Sequence, residues 1–134
     1  MGDLGSEHSS VDARGIKPPS VHAVTNRGTA DGILVLGLEG EFDLAAAPAL
    51  REELDAACAG GGRGVVLDMS EVTFVDSSAL RELLRGDHAL QARGARLVLA
   101  AVNPSVARLL ELTRTTGLLA AAPTLESALE RAAG

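Results

Sequence analysis

Aromatic side chains are nearly absent from this chain, which has no Trp, no Tyr and two Phe, Phe42 and Phe74. Recognition of single-stranded nucleic acid rests on stacking bases against several such rings, so that function is set aside. Clustered cations are missing too: 12 Lys and Arg stand against 18 Asp and Glu, a net charge of −6 with no basic run. A phosphate-tracking face and docking on an anionic bilayer both need the opposite balance. Cys58 is the single cysteine, which leaves no internal disulfide and no thiolate cluster for zinc. Its setting, Ala56-Ala57-Cys58, makes it a small core residue. No apolar run approaches the roughly 18 residues that a membrane-spanning helix needs. The first 20 residues hold Asp3, Glu7 and Asp12 without an apolar stretch, so they do not read as a secretory signal. A cytoplasmic location is expected.

What is present is aliphatic. Apolar residues make up 46% of the 134 residues, mostly Ala, Leu and Val, enough for one buried core and one domain. Residues 1–19, ending at Pro18-Pro19, are polar and rich in Gly and Ser. Such a segment buries too little apolar surface to offset its ordering entropy, so a disordered tail is expected there, with a single domain over 20–134.

Val21 to Thr25 reads as an edge strand, Asn26 to Gly32 as a turn, and Ile33 to Leu38 as a buried strand antiparallel to the first. Gly40-Glu41-Phe42-Asp43 reads as a second turn. A helix follows with Pro48 in its first turn and Leu50, Leu54 and Ala57/Cys58 along one stripe. Gly60-Gly61-Gly62-Arg63-Gly64 superficially suggests a phosphate cradle. Such cradles lie between a strand and a helix N-terminus, whereas these glycines follow a helix and precede the strand Val65 to Met69. They make a flexible connection.

Val72 to Val75 then leads into Asp76-Ser77-Ser78-Ala79-Leu80, which opens a helix reaching about Ala92, its stripe Leu80, Leu83, Leu84 and Leu90. Arg93-Gly94 closes it. Arg96 to Val102 is the next strand, and Asn103-Pro104 pairs a cap with a first-turn proline before a helix bearing Val106, Leu109 and Leu110. Leu118-Leu119 suits a short last strand. Thr124 caps a terminal helix with Leu125, Ala128, Leu129 and Ala132. Strands alternating with helices mean an α/β domain with a mostly parallel sheet.

No catalytic constellation emerges, and no cofactor or metal is implied. His8, His22 and His88 lack partners at metal-ligand spacing. Ser77 sits in Val75-Asp76-Ser77-Ser78-Ala79, without the glycines of a nucleophile elbow. The one later histidine, His88, lies 11 residues further along the same helix, roughly 16 Å up its axis. A non-enzymatic role is expected. Two readings of Asp76-Ser77-Ser78 remain. Asp76 or Ser77 caps the helix, worth about 0.5–2 kcal/mol. Alternatively, an accessible serine at this helix start accepts a phosphate, adding about −1.5 to −2 charges opposite the positive end of the dipole.

The ordered set Gly40-Glu41-Phe42-Asp43, Val65-Val66-Leu67-Asp68-Met69-Ser70 and Val72 to Leu80 resembles STAS domains, more narrowly bacterial anti-sigma factor antagonists. Gly94 to Leu99, Asn103-Pro104-Ser105-Val106, Leu109-Leu110-Glu111-Leu112 and Thr116-Gly117-Leu118 extend the likeness over about residues 20–133. The resemblance implies a mixed, mostly parallel sheet of four to five strands, with about four helices packed mainly on one side. It implies that Ser77 is phosphorylated by an anti-sigma factor that is itself a serine kinase, and that a PP2C-type phosphatase reverses this. The unphosphorylated form then binds the anti-sigma factor and frees the sigma factor.

Carried onto this chain, the partner-facing residues are Asp43, Asp76, Ser77, Ser78, Ala79 and Arg81. Three features depart from the family pattern: Ala79 stands where Gly is common, Arg81 where a small residue is, and Leu44 to Ala47 lack a hydroxyl. The alternative is a non-phosphorylated STAS scaffold or accessory subunit of a transport ATPase.

Overall fold

The computed structural model describes residues 21–134, so the tail expected at 1–19 lies outside the described residues, as does His8. Its elements in chain order are β1 (His22–Ala30), β2 (Ile33–Phe42), α1 (Ala47–Ala59), β3 (Gly64–Val75), α2 (Ser77–Gln91), β4 (Leu97–Ala100), α3 (Pro104–Leu112), β5 (Ala120–Ala122) and α4 (Leu125–Ala133). The five strands stand side by side in sequence order. β1 and β2 are antiparallel, and β2 through β5 are parallel. The sheet is therefore mixed and mostly parallel, as expected. Every helix that follows a parallel strand starts at the same end of the sheet, which gathers the starts of α1, α2, α3 and α4 there.

Alternation along the strands sorts side chains to two faces. Leu36, Leu38, Leu67, Met69, Leu97 and Leu99 meet α1, α2 and α3 in the larger core. Ile33, Val66, Val98, Ala100, Ala120 and Ala122 meet Ala128 and Ala132 of α4 in the smaller one. Fully burying a Leu such as Leu67 or Leu99 is worth about 1.5–3 kcal/mol. Where α2 crosses α1, Gly86 lets the helices close up, since a Cβ there would lie 3.0 Å from a Leu54 methyl. Arg85 joins the same pair, bonded to Asp55 of α1 at 2.8 Å and to Glu82 at 2.9 Å. Cys58 is half-buried against the larger core.

Five sequence expectations shift. The stretch Asn26 to Gly32 is mostly strand: the reversal is Asp31-Gly32 alone, both residues at positive φ (53° and 80°), the conformation of a two-residue hairpin turn. The Asn and Gly before it build a bulge instead. The Asn26 side chain accepts the Gly28 N–H at 2.8 Å, and Gly28 takes φ 85° where the register slips. Gly40 to Phe42 continues β2. Gly40, at φ 91°, brings the backbone against the Val21 carbonyl with no room for a Cβ, while the neighbouring Glu41 N–H bonds that carbonyl at 3.0 Å.

β3 runs unbroken through Ser70 and Glu71, because pairing to β2 bridges the polar residues. β4 stops at Ala100, since Ala101 turns to φ 59°. The last strand is Ala120–Ala122 rather than Leu118-Leu119. The amides of Leu118 and Leu119 bond back to the Thr115 carbonyl, leaving Leu118 exposed and the alanines to pair with β4.

Two carboxylates are buried among the described residues. Asp87 of α2 is 3% exposed. It accepts the Leu97 N–H at 3.2 Å and the Gln91 side-chain N–H at 2.7 Å, tying α2 to the start of β4. Asp68 takes Arg27 at 2.6 Å and the Ser70 N–H at 3.0 Å. Arg27 reaches it from β1 by lying directly over Gly37 of β2, where any Cβ would collide with the guanidinium. Burial pushes the Asp68 carboxyl up, but the Ser70 amide and hydroxyl and the Arg27 guanidinium together hold it below its ordinary value.

Asp87→Ala is expected to cost about 1–3 kcal/mol, because the Leu97 N–H loses its buried acceptor. Urea denaturation should show a lower midpoint at unchanged slope. Asp68→Asn should also be less stable at neutral pH. A depressed native pKa stabilises only above the unfolded value, so this gap should narrow as the pH falls below 3.8 and through the native pKa. A pH-independent gap in the same unfolding series would rule out the ion pair as its source.

Candidate functional site

Asp76 is the hinge of the site. Its own N–H bonds the Phe42 carbonyl at the end of the neighbouring strand, 3.1 Å away. Its extended backbone (φ −107°, ψ −176°) turns the side chain back over the first turn of α2. One carboxylate oxygen there accepts the Ser78 N–H at 2.8 Å and the Ala79 N–H at 3.1 Å. Of the two capping candidates, Asp76 is the cap.

Ser77 is thereby freed from capping. It is the first residue of α2 and exposed, while Ser78 behind it is half-buried. The helix N–H groups that a phosphate on Ser77 was expected to meet are occupied at Ser78 and Ala79, so the dipole end is already satisfied by a carboxylate.

The register Phe42↔Val75 sets the next residues, Asp43 and Asp76, at neighbouring strand ends. Asp43 is half-buried and shapes its own turn: its side chain accepts the Ala45 N–H at 3.0 Å, and its carbonyl accepts the N–H groups of Ala46 and Ala47. Arg81 is exposed one turn along α2 from Ser77. The structure thus brings five of the six partner-facing candidates to one surface.

Ala79 is the exception. It is 0% exposed, packed in the larger core, so its methyl fills the helix–sheet contact and cannot touch a partner. The physical reason is phase: a helix whose first residue faces water turns its third toward the sheet.

Residues not foreseen complete the surface. Leu44, 72% exposed, and Phe74, 46% exposed, stand at the same sheet end. Phe74 read as an ordinary strand residue; its exposure shows only in the assembled sheet, where it pairs with Glu41 near the end of β2. Asn103 braces the margin by two bonds, accepting the Val106 N–H and donating to the Val72 carbonyl, both at 2.8 Å.

The other histidines stand apart: His22 lies against the Phe42 ring at 5.7 Å, and His88 is exposed in the last turn of α2. A cavity of about 240 Å³ lies at the opposite end of the strands, lined by Asn26, Leu34, Leu36, Glu53 and Gly60 among others. Among the described residues, no helix is long and apolar enough to cross a membrane.

Residues 26–128 match the family model described as the STAS domain. The chain belongs to the STAS domain family. Within that family it is 32% identical over 98 residues to BtrV of Bordetella bronchiseptica, named as an anti-sigma factor antagonist, a match covering 73% of this chain and 84% of that one. The crystal structure of an anti-sigma factor antagonist from Mycobacterium paratuberculosis superposes with a TM-score of 0.77 at 27% identity, over 85% of this chain and 96% of the other. The Bacillus cell-fate determinant SpoIIAA, solved in its phosphorylated form, shares the fold at 23% identity, with a TM-score of 0.64 over 81% of this chain and 98% of its own.

Removing the hinge tests how far the STAS site depends on it. Asp76→Ala should lose about 0.5–2 kcal/mol in thermal or urea unfolding, and Asp76→Asn, which keeps an accepting oxygen, much less. Equal losses would mean that the cap is not what Asp76 supplies.

Proposed function

We propose that this protein is a cytoplasmic anti-sigma factor antagonist switched at Ser77. Unphosphorylated, it binds an anti-sigma factor with serine kinase activity and so releases the sigma factor. The observation that carries this reading is Ser77 itself: an exposed hydroxyl, held out by the Asp76 cap, at the sheet end that also carries the exposed apolar side chains of Leu44 and Phe74. The similarity to BtrV and to the mycobacterial antagonist supports the role, and favours it over a scaffold or accessory subunit of a transport ATPase. That SpoIIAA has a phosphorylated form supports the switch.

In the modification step Ser77 Oγ attacks the γ-phosphorus of ATP, the bond to the bridging oxygen breaks and ADP leaves. The hydroxyl proton passes to a base of the kinase or to water. This chain is the substrate and needs no catalytic group of its own. A PP2C-type phosphatase reverses the step by hydrolysis, releasing inorganic phosphate.

The phosphate adds about −1.5 to −2 charges next to Asp76 and close to Asp43, on a surface that docks through Leu44 and Phe74. Binding is then opposed by like-charge repulsion and by the cost of stripping water from a dianion. Of the residues carried over from the family, Asp43, Ser78 and Arg81 surround the switch, and Ala79 supports it from beneath.

Incubation with the cognate anti-sigma kinase and ATP should add one phosphate to the wild type and none to Ser77→Ala, by intact mass. Ser77→Asp should bind that kinase at least tenfold more weakly in calorimetry, about 1.4 kcal/mol. Phosphate on Ser78 instead, or undiminished binding by Ser77→Asp, would defeat the assignment.

A further inference from the structure

We propose that Arg81 is the built-in counter-ion of a phosphate on Ser77, so that the modified site is partly neutralised within α2. This rests on the Ser77 reading above and concerns how the phosphate is held once it is there. Three observations lead to it.

The first is the state of the helix end. An anion at a helix N-terminus ordinarily draws on free N–H groups. Here the Asp76 carboxylate takes those of Ser78 and Ala79, and the Asp76 carbonyl takes that of Leu80 at 3.0 Å. A Ser77 phosphate finds few donors and a carboxylate beside it, with Asp43 at the neighbouring strand end. It needs a cation.

The second is spacing. Ser77 is the first residue of α2 and Arg81 lies four residues on. Side chains four apart on a helix share a face, about 5–6 Å between Cβ atoms, and the pair is best oriented with the anion N-terminal to the cation. Both residues are exposed. A guanidinium can offer two parallel N–H donors to two phosphate oxygens.

The third is availability. Arg85, the next arginine on α2, is already engaged by Glu82 and Asp55. That contact also occupies Glu82, the acid adjacent to Arg81. Arg81 makes no hydrogen bond or ion pair among the described residues. It is the cation on α2 left for the phosphate. Arg81 therefore sets how much charge the modified surface shows to a partner and how readily the phosphate gives up its second proton.

Phosphoserine installed directly at position 77 during translation tests this without any kinase, so the outcome is separable from whether a kinase chooses Ser77. The second ionisation of that phosphate is followed by ³¹P chemical shift against pH, in the parent and in Arg81→Gln and Arg81→Lys. Both replacements are exposed and helix-compatible. At low salt the Arg81→Gln midpoint should lie about half a pH unit above the parent, Arg81→Lys between them, and the gap should close near ~1 M NaCl. Coincident parent and Arg81→Gln midpoints would overturn the pairing, as would an Arg81→Lys midpoint no lower than that of Arg81→Gln.

Discussion

The amide and the carboxylate of Asp76 together join two kinds of structure. The amide pins the start of α2 to the end of β2, and the carboxylate fills the first turn of the helix. A buried helix end leaves N–H groups that must find partners. If Ser77 supplied the acceptor, its hydroxyl would face inward and the surface would lose its exposed nucleophile. Because an acid one residue earlier does so, Ser77 faces solvent at a fixed point of a rigid frame. The sheet register makes this position useful. Phe42 pairs with Val75, so the turn that follows β2 and the helix that follows β3 emerge side by side, bringing Asp43 and Leu44 to the sheet end that carries the serine.

The frame itself depends on two less visible contacts. On the face that carries α4, β1 and β2 are crossed by the Arg27 side chain on its way to Asp68. Gly37 is the condition for that path, and the ion pair links the three strands β1, β2 and β3. On the opposite face, Asp87 fastens the middle of α2 to the first residue of β4. Both acids are largely buried and fully used. Their work is architectural, whereas Asp76 serves architecture and site at once. The departure at Ala79 fits this division. Its methyl is spent inside the helix–sheet contact, so alanine there, in place of the glycine that the resemblance implies, stiffens the start of α2 without reaching the surface.

Much of this was legible from residue order. The helical stripes Leu50/Leu54 and Leu80/Leu83, the caps Asn103 and Thr124 and the apolar run from Ile33 are local signals, and local physics decides them. What escaped was non-local. Asn26 and Gly28 carry the chemistry of a turn, yet pairing with β2 holds them in a bulged strand. Ala120 to Ala122 have no strand preference and become one because β4 offers an open edge. Of the candidate site, Asp76 and Ser77 were singled out through the ordered motif set, and the structure places them together at the start of α2. The burial of Ala79 needed only the phase of the helix, counted from an exposed Ser77, but the choice of Asp76 over Ser77 as cap was not decidable without the geometry. Neither was the use of Gly37 as a bed for Arg27, a contact that spans 41 residues.

The charge arrangement around Ser77 follows from the same frame. Asp76 caps the helix with one carboxylate oxygen and Asp43 sits at the adjacent strand end, so a phosphate on Ser77, as proposed, would add negative charge beside two acids. A surface with no compensating cation would respond by strong repulsion of any partner and by strain on the cap itself, since phosphate and carboxylate compete for the same first-turn donors. On the proposed pairing with Arg81, one turn away, the competition would be relieved: the carboxylate would keep the N–H groups and the phosphate would take the guanidinium. The cap would then survive modification, and the two proposed states would differ in surface charge rather than in fold. A switch built this way would be read by its partner as a change of surface charge rather than of shape, with the Arg81 side chain setting its strength.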